Sequence, residues 1–395
     1  MQVLFVATVG GFVPQFEMND VKILNELGCR IHYAANFDHN MYSYNEKIFD
    51  EYGINKHHVN LAKSPFRFIK NIRAYKEIKK IIEREKINII HCHTPVGGLL
   101  ARLAADQSSR KPKVIYTAHG FHFYKGAPLW NWCVYYPVEK FLARKTDVII
   151  TINEEDYCNA KKFTLRKNGR VYKIPGVGLN LNRFQSVIVE EDYIKNKNSA
   201  SKEIKNNELQ KNRNCEKNRF DIVTIGELNK NKNHQVVIRA IKQLNRDDIY
   251  YTIYGRGKNK EKLEALIKSL DLEKYVQLKG YTLEPEQVLE QADCFVFPSV
   301  REGLGMAALE ALACKVPVIS SDNRGTREYM ENGYNGVVCF SNNPNEYAKA
   351  IEDLAASEEK RVLMGENGKI TAEKYGIKST EDVMRLIYGT LISEM

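Results

Sequence analysis

Long apolar runs are missing from this 395-residue sequence: none approaches the roughly 20 consecutive apolar residues that cross a bilayer. The apolar start Val3–Val9 has no basic flank and no cleavage signal, so it is expected to be a strand and not a secretion signal. Close cysteine pairs are absent too. Cys29, Cys92, Cys133, Cys158, Cys215, Cys294, Cys314 and Cys339 are scattered, which excludes a dense disulfide scaffold and points to a reducing, cytoplasmic setting. Acidic balance is lacking in the first half. Residues 1–186 carry 28 Lys+Arg against 16 Asp+Glu, whereas residues 187–395 carry 31 against 33. A basic half attracts polyanions, and nucleic acid, anionic lipid and pyrophosphate all qualify.

What is present is a repeated rhythm. The length favours two domains. Strands are expected at Val3–Val9, Ile31–Ala35, Ile87–Cys92, Val114–Ala118, Val148–Ile152 and Val171–Ile174, with helices at Gln15–Leu27, Phe66–Glu85, Gly98–Asp106, Leu129–Lys145 and Glu154–Lys162. The rhythm restarts with strands at Phe220–Ile225, Tyr250–Tyr254, Val276–Leu278, Cys294–Phe297, Val316–Ser320 and Gly336–Cys339, and helices at Asn233–Leu244, Lys258–Leu270 and Met306–Ala313. Alternating strands and helices signal parallel sheets with helices on both faces, which bind ligands at the carboxyl ends of their strands. The expected architecture is α/β, two facing Rossmann-like domains with a donor cleft between them: residues 1–175, a linker 176–219, residues 220–375, and a final helix in 376–395 that packs back toward the first domain. Glu190–Asn218 is dominated by Lys, Asn, Glu and Ser, too polar to bury a core, and reads as a solvated spacer.

The most informative segment runs from Cys294 to Ser320 as strand, loop, helix, strand. Gly303 and Gly305 fall where strand gives way to helix. There the free backbone N–H groups and the positive helix end make an anion site that glycine lets a phosphate approach closely. Glu302 and Glu310 flank this turn. A carboxylate beside a phosphate cradle needs another task, and accepting hydrogen bonds from sugar or ribose hydroxyls suits it. The bland alternative makes Glu302 a helix cap and Glu310 a solvated helix residue.

With Pro298-Ser299 before it and Pro317-Val318-Ile319 after, the Glu302-x7-Glu310 pattern resembles the retaining GT-B glycosyltransferases of family 4. Further segments match: Gly226-Glu-Leu-Asn-Lys-Asn-Lys232, Tyr254-Gly-Arg-Gly257, Pro175-Gly-Val-Gly and Thr117-Ala-His119-Gly. The segment from His119 to Leu129 is similar to enzymes of capsular and exopolysaccharide assembly. The resemblance implies that Lys232 holds the donor pyrophosphate, aided by the Gly303-Leu304-Gly305 turn and by Gly11 after the first strand. It implies that Glu310 binds ribose, that Glu302 lies near the transferred sugar, and that Arg256 and Tyr281 line the nucleobase pocket. It makes His119 a catalytic residue beside the reaction centre, and His93, His122 and Lys125 candidates for acceptor contact. No cofactor is implied, and no Asp-x-Asp metal site is apparent. His91 and His93 bracket Cys92, but no further ligands follow at a recognisable spacing, so a metal is not expected there. One departure stands out: Glu227 occupies the position where many members carry Arg, so either it points away or Lys230 compensates.

The implied partners are a nucleotide-sugar donor, UDP-linked with GDP the chief competitor, and a saccharide or undecaprenyl-pyrophosphate-linked acceptor. Lys63–Lys86 has nine basic residues against three acidic. Its Phe68, Ile72, Tyr75 and Ile82 form an expected core-facing stripe, with the cationic face available to an anionic membrane surface. The protein would then be cytoplasmic and peripheral on the inner face of the membrane. Two other classes stay open: a sugar-nucleotide epimerase of the same fold, and a basic membrane- or nucleic-acid-binding protein. The Glu302–Glu310 segment argues against the second, and no nucleic-acid partner is expected.

Overall fold

The computed structural model describes residues 1–38, 44–184, 219–340 and 342–395; the polar stretch Glu190–Asn218 lies outside the described residues. Two compact units are present, Met1–Gly178 with Ile377–Met395, and Leu179–Gly376. Among the described residues no helix is long and apolar enough to cross a membrane.

The first unit is built on seven strands: β1 (Gln2–Val6), β2 (Arg30–Ala35), β3 (Ile54–His58), β4 (Ile89–Cys92), β5 (Lys113–Ala118), β6 (Val148–Thr151) and β7 (Arg170–Lys173). They run parallel in the order β3-β2-β1-β4-β5-β6-β7. Val3, Leu4, Phe5 and Val6 are fully buried, as expected where helices cover both faces of a parallel sheet. The second unit repeats the plan with β8 (Phe220–Ile225), β9 (Ile249–Tyr254), β10 (Val276–Gly280), β11 (Cys294–Phe297), β12 (Val318–Ser321) and β13 (Gly336–Cys339). These too are parallel, ordered β10-β9-β8-β11-β12-β13. In each sheet the strand order reverses once, between β1 and β4 and between β8 and β11. Ligands of open α/β sheets bind at such switch points, beyond the carboxyl ends.

Three local expectations are corrected. The helix expected over Gln15–Leu27 is two helices, Phe12–Phe16 and Met18–Glu26, broken at Glu17, whose φ of −121° and ψ of 14° leave the helical region. Strand β3 and the short helix Lys47–Glu51 escaped the sequence reading, because Ile54-Asn-Lys-His-His58 is polar and sits at a sheet edge. The third concerns the helix Phe68–Arg84. Its buried face is Asn71, Ala74, Ile78, Ile81 and Ile82, while Phe68 and Ile72 are 67% and 55% exposed. The Asn71 amide donates to the carbonyls of Ser64 and Pro65. Holding it inward turns Phe68 and Ile72 away from the sheet.

The last helix, Ile377–Ser393, belongs to the first unit and packs on Met18–Glu26. Thr380 donates to the Gly176 carbonyl at 3.2 Å, and the Tyr388 hydroxyl donates to Asp20 at 2.9 Å.

Candidate functional site

At the second unit's switch point two loops meet, one after β8 and one after β11. Asn231 ties them together: its amide donates to the Arg301 carbonyl and its own carbonyl accepts from Val300 N–H, both at 2.8 Å. Lys232 therefore reaches across to Glu302, Nζ to Oε1 at 2.7 Å, with the ammonium 4.8 Å from the centre of the Phe297 ring. Glu302 is thus no helix cap. The helix Met306–Ala313 is capped by Gly305, which makes no side-chain cap bond. Gly305 has φ +94°, and a Cβ there would lie 2.7 Å from Phe297 Cε1, so only glycine fits. Leu304 is buried beneath the turn and Gly303 lies between it and Glu302.

Glu310 stands half-buried one turn further along the same helix. Desolvation pushes its carboxyl up to about 7, with Arg183 and Lys232 pulling the other way. Arg256 stacks over Tyr281, guanidinium carbon to ring centre 5.6 Å, and both are exposed. Glu227, in the place where Arg was expected, is exposed beside exposed Lys230, and its carbonyl accepts from His234. Sequence reasoning missed Arg324, a buried residue after β12 whose Nε donates to the Glu302 carbonyl at 3.2 Å. It also missed Asn323, whose amide donates to the Ser299 carbonyl at 3.0 Å. The strand-end position was the available signal for both.

In the first unit the switch point gathers a different chemistry. His119 follows β5 and its side chain is 25% exposed, whereas His93, just past β4, is wholly buried. His93 Nδ1 lies 3.2 Å from His119 Nε2, and Glu17 Oε1 stands 3.5 Å from the first and 3.4 Å from the second. Glu17 gets there because the helix breaks at that residue, a placement no chain spacing announces. These are the one group of three His, Cys, Asp or Glu residues with converging ligand atoms among the described residues. His91 is not part of it. Its ring bonds Tyr388 and Thr117, each at 2.7 Å.

Burial sets the protonation of this cluster. It pushes Glu17 up to about 8, lowers His119 to about 4 and holds His93 well below the usual histidine range. Near neutral pH both imidazoles are uncharged and Glu17 carries its proton. Phe12 closes the cluster with its ring edge-on to His119, centroids 5.1 Å apart. Gly11 precedes that helix and is buried. His122 is half-buried, its ring 4.5 Å from Tyr135, while Lys125 is exposed and its backbone N–H donates to Glu155. His93, one of the residues expected at the acceptor, is fully buried and faces His119.

Two parallel Rossmann-like sheets, one with a lysine–glutamate pair at a strand–glycine–helix turn and the other with a histidine at a strand end, define a transferase frame of the GT-B type. Residues 205–371 match the family model for glycosyl transferases group 1, and residues 19–153 match that for glycosyl transferase 4-like proteins. The chain is 36% identical to the putative glycosyltransferase EpsD of Bacillus subtilis, over 98% of this chain and 96% of that protein. It is 27% identical to the UDP-Gal:alpha-D-GlcNAc-diphosphoundecaprenol alpha-1,3-galactosyltransferase of Escherichia coli, over 72% and 70% of the two chains. The fold matches Anabaena HepE in complex with UDP-glucose, with a TM-score of 0.74 at 15% identity over 99% of this chain and 100% of that one. The chain belongs to this glycosyltransferase family and is a glycosyltransferase.

Proposed function

We propose that this enzyme moves a hexosyl or N-acetylhexosaminyl group from a UDP-sugar, with retained anomeric configuration, to a lipid-linked or saccharide acceptor in capsular, exopolysaccharide or related surface-glycan assembly. The observation that carries the donor half is the Lys232–Glu302 pair at the Gly303–Gly305 turn. A cation and a row of amide donors at a helix start suit a diphosphate. When the bond from the anomeric carbon to phosphate oxygen breaks, charge builds on the diphosphate, and Lys232 with the turn amides stabilises it. The acceptor oxygen bonds to the anomeric carbon, and its proton passes to the oxygen of the departing diphosphate. Glu302 orients the transferred sugar, Glu310 takes the ribose, and Arg256 with Tyr281 offers the base a flat cationic platform. On the first unit, His119, positioned by His93, is assigned to the reacting sugar, and His122 and Lys125 to the acceptor. The UDP and lipid-pyrophosphate preferences rest on the likeness to the Escherichia coli galactosyltransferase, whose name gives a UDP-sugar donor and a diphosphoundecaprenol-linked acceptor. A peripheral place on the inner membrane face, through the basic Lys63–Lys86, belongs to the same reading.

A panel of UDP- and GDP-sugars tests the donor. A ligand that binds only the folded chain raises its melting temperature, by an amount that grows with concentration over Kd. UDP-sugars should stabilise and GDP-sugars should not; the reverse order overturns the UDP assignment. Release of UDP that depends on an added acceptor separates transfer from epimerisation.

Glu310 supplies a pH test. A ribose hydroxyl is best held by an ionised carboxylate, and in the free chain that carboxyl titrates at about 7. Its ionised fraction rises about tenfold between pH 6 and pH 8. UDP-glucose, whose diphosphate does not titrate in that window, should therefore bind up to about tenfold more tightly at pH 8. Glu310→Gln should bind weakly and without that pH dependence, which isothermal titration would read directly.

A further inference from the structure

Two helices of the first unit leave large apolar side chains in solvent. The connections β3 to β4, β4 to β5 and β5 to β6 all step the same way across the sheet. Right-handed crossovers therefore place Phe68–Arg84, Pro95–Asp106 and Leu129–Ala143 on one face. The middle helix packs against both outer ones. Both outer helices start from the carboxyl edge of the sheet, the edge that carries His119.

Leu129–Ala143 is apolar on both sides, with Trp132, Tyr135 and Tyr136 packed against the core. Its buried face holds Asn131, Glu139, Leu142 and Ala143, and Glu139 pairs with the fully buried Arg102 at 2.8 Å. Its outer face presents Trp130, Val134, Val138 and Phe141, at spacings of four, four and three, all exposed. That is one continuous stripe about 16 Å long at 1.5 Å per residue. Leu129 at its start is 82% exposed. Scattered apolar residues on a surface need no explanation, but a continuous stripe does. Phe66, Phe68, Ile69 and Ile72 form a second exposed group at the start of the other outer helix.

The charges around these residues choose the occupant. Between residues 121 and 145 the only acid is Glu139, which is buried, while Lys125, Lys140 and Arg144 are exposed. Between residues 63 and 80, seven Lys and Arg face the single acid Glu77. Both tryptophans of the chain, Trp130 and Trp132, lie on Leu129–Ala143. An apolar stripe with tryptophan, collared by cations, is the chemistry of a bilayer interface. Two copies meeting through this face would bring like basic collars together, whereas an anionic bilayer neutralises them.

We infer that Leu129–Ala143 is an interfacial membrane helix, inserting Trp130, Val134, Val138 and Phe141 into an anionic bilayer beside a second contact at Phe66–Ile72. This deepens the membrane reading of Lys63–Lys86, replacing attraction at a distance with insertion, and it does not depend on the donor assignment.

The test uses the full chain with phosphatidylcholine vesicles, with and without phosphatidylglycerol, read by co-sedimentation and tryptophan emission. Anionic vesicles should sediment the protein and shift its emission to the blue. The triple variant Trp130→Ser, Val134→Ser, Phe141→Ser should partition at least about tenfold less. Its remaining Trp132, which donates to the Tyr124 carbonyl from a half-buried site, should not shift. Unchanged thermal unfolding shows that the variant folds, and single variants at Trp130 and Phe141 should give graded losses. The insertion is overturned if the wild type neither sediments nor shifts. It is equally overturned if the triple variant sediments like the wild type while reversing Lys70, Arg73, Lys76, Lys79 and Lys80 abolishes binding, since attraction by charge would then suffice. A concentration-dependent dimer lost in the triple variant would make the face an interface between copies and sink the proposal.

Discussion

Lys232→Ala should lower transfer, measured as kcat/KM for the donor, by at least about 100-fold, the scale on which enzymes lose rate when a preorganised charge aimed at the leaving group is removed. The structure gives the reason. Lys232 emerges from a loop fixed by the bond from its own N–H to Asn229 Oδ1 at 2.9 Å, and its stem runs along Gly226, where a Cβ would meet Lys232 Cδ at 3.4 Å. The ammonium is held in place before any substrate arrives, so it costs no reorganisation at the transition state. Before the donor enters, Glu302 neutralises it at 2.7 Å. Diphosphate must then compete for Lys232, freeing the Glu302 carboxylate for the sugar hydroxyls. That exchange predicts a split between the two variants. Lys232→Ala should lose donor affinity and rate together. Glu302→Gln should bind UDP about as well as the wild type or better, yet transfer at least about 100-fold more slowly. Both side chains are partly solvated, so thermal unfolding should change little. Near-normal transfer by either variant would remove the site from this turn.

How much of this could be read from the sequence depended on whether the signal was local. The helix Met306–Ala313 and the strands β8, β11 and β13 were expected with the bounds they have, because apolar runs bordered by glycine, proline and polar loops mark parallel strands sharply. Glu302, Gly303, Gly305 and Glu310 lie on one continuous segment, so their convergence with each other was legible. The reach of Lys232 to Glu302 spans 70 residues and came from resemblance to a family. Glu17 carried no sequence signal at all. It joins His93 and His119 because a helix breaks at that residue, and it is kept protonated by burial. The exposed residues of Phe68–Arg84 depart from the expected core-facing stripe for the opposite reason. Helical spacing points Phe68 and Ile72 to the core, but the buried polar Asn71 decides which way that helix turns, as buried Glu139 does in Leu129–Ala143, for which the sequence reading set no face.

That last point makes the buried Arg102–Glu139 pair a source of large stability effects. Arg102 is fully buried, donates from Nη2 to Glu139 at 2.8 Å and from Nε to the Gly98 carbonyl at 2.9 Å, and lies 3.9 Å from the centre of the Tyr116 ring. Arg102→Met should leave the Glu139 carboxylate buried beside an apolar side chain and destabilise the first unit by about 3–5 kcal/mol, the usual cost of orphaning one partner of a buried pair. Replacing both, as Arg102→Met with Glu139→Leu, should recover most of that loss, because the desolvation of two charges vanishes along with their attraction. Arg102 Nη1 has no hydrogen-bond partner among the described residues, so the native pair is not fully compensated there, which favours recovery in the double variant. Denaturant unfolding of the wild type, both single variants and the double variant gives the coupling energy. A double variant as unstable as the sum of the singles would mean that Arg102 acts through its packing on Tyr116 and Gly98 and not through Glu139. The same variants bear on the outer face. With Asn131 still bonded to the His122 carbonyl and Trp132 to the Tyr124 carbonyl, Leu129–Ala143 keeps its orientation in the double variant, and vesicle binding should persist where stability is restored.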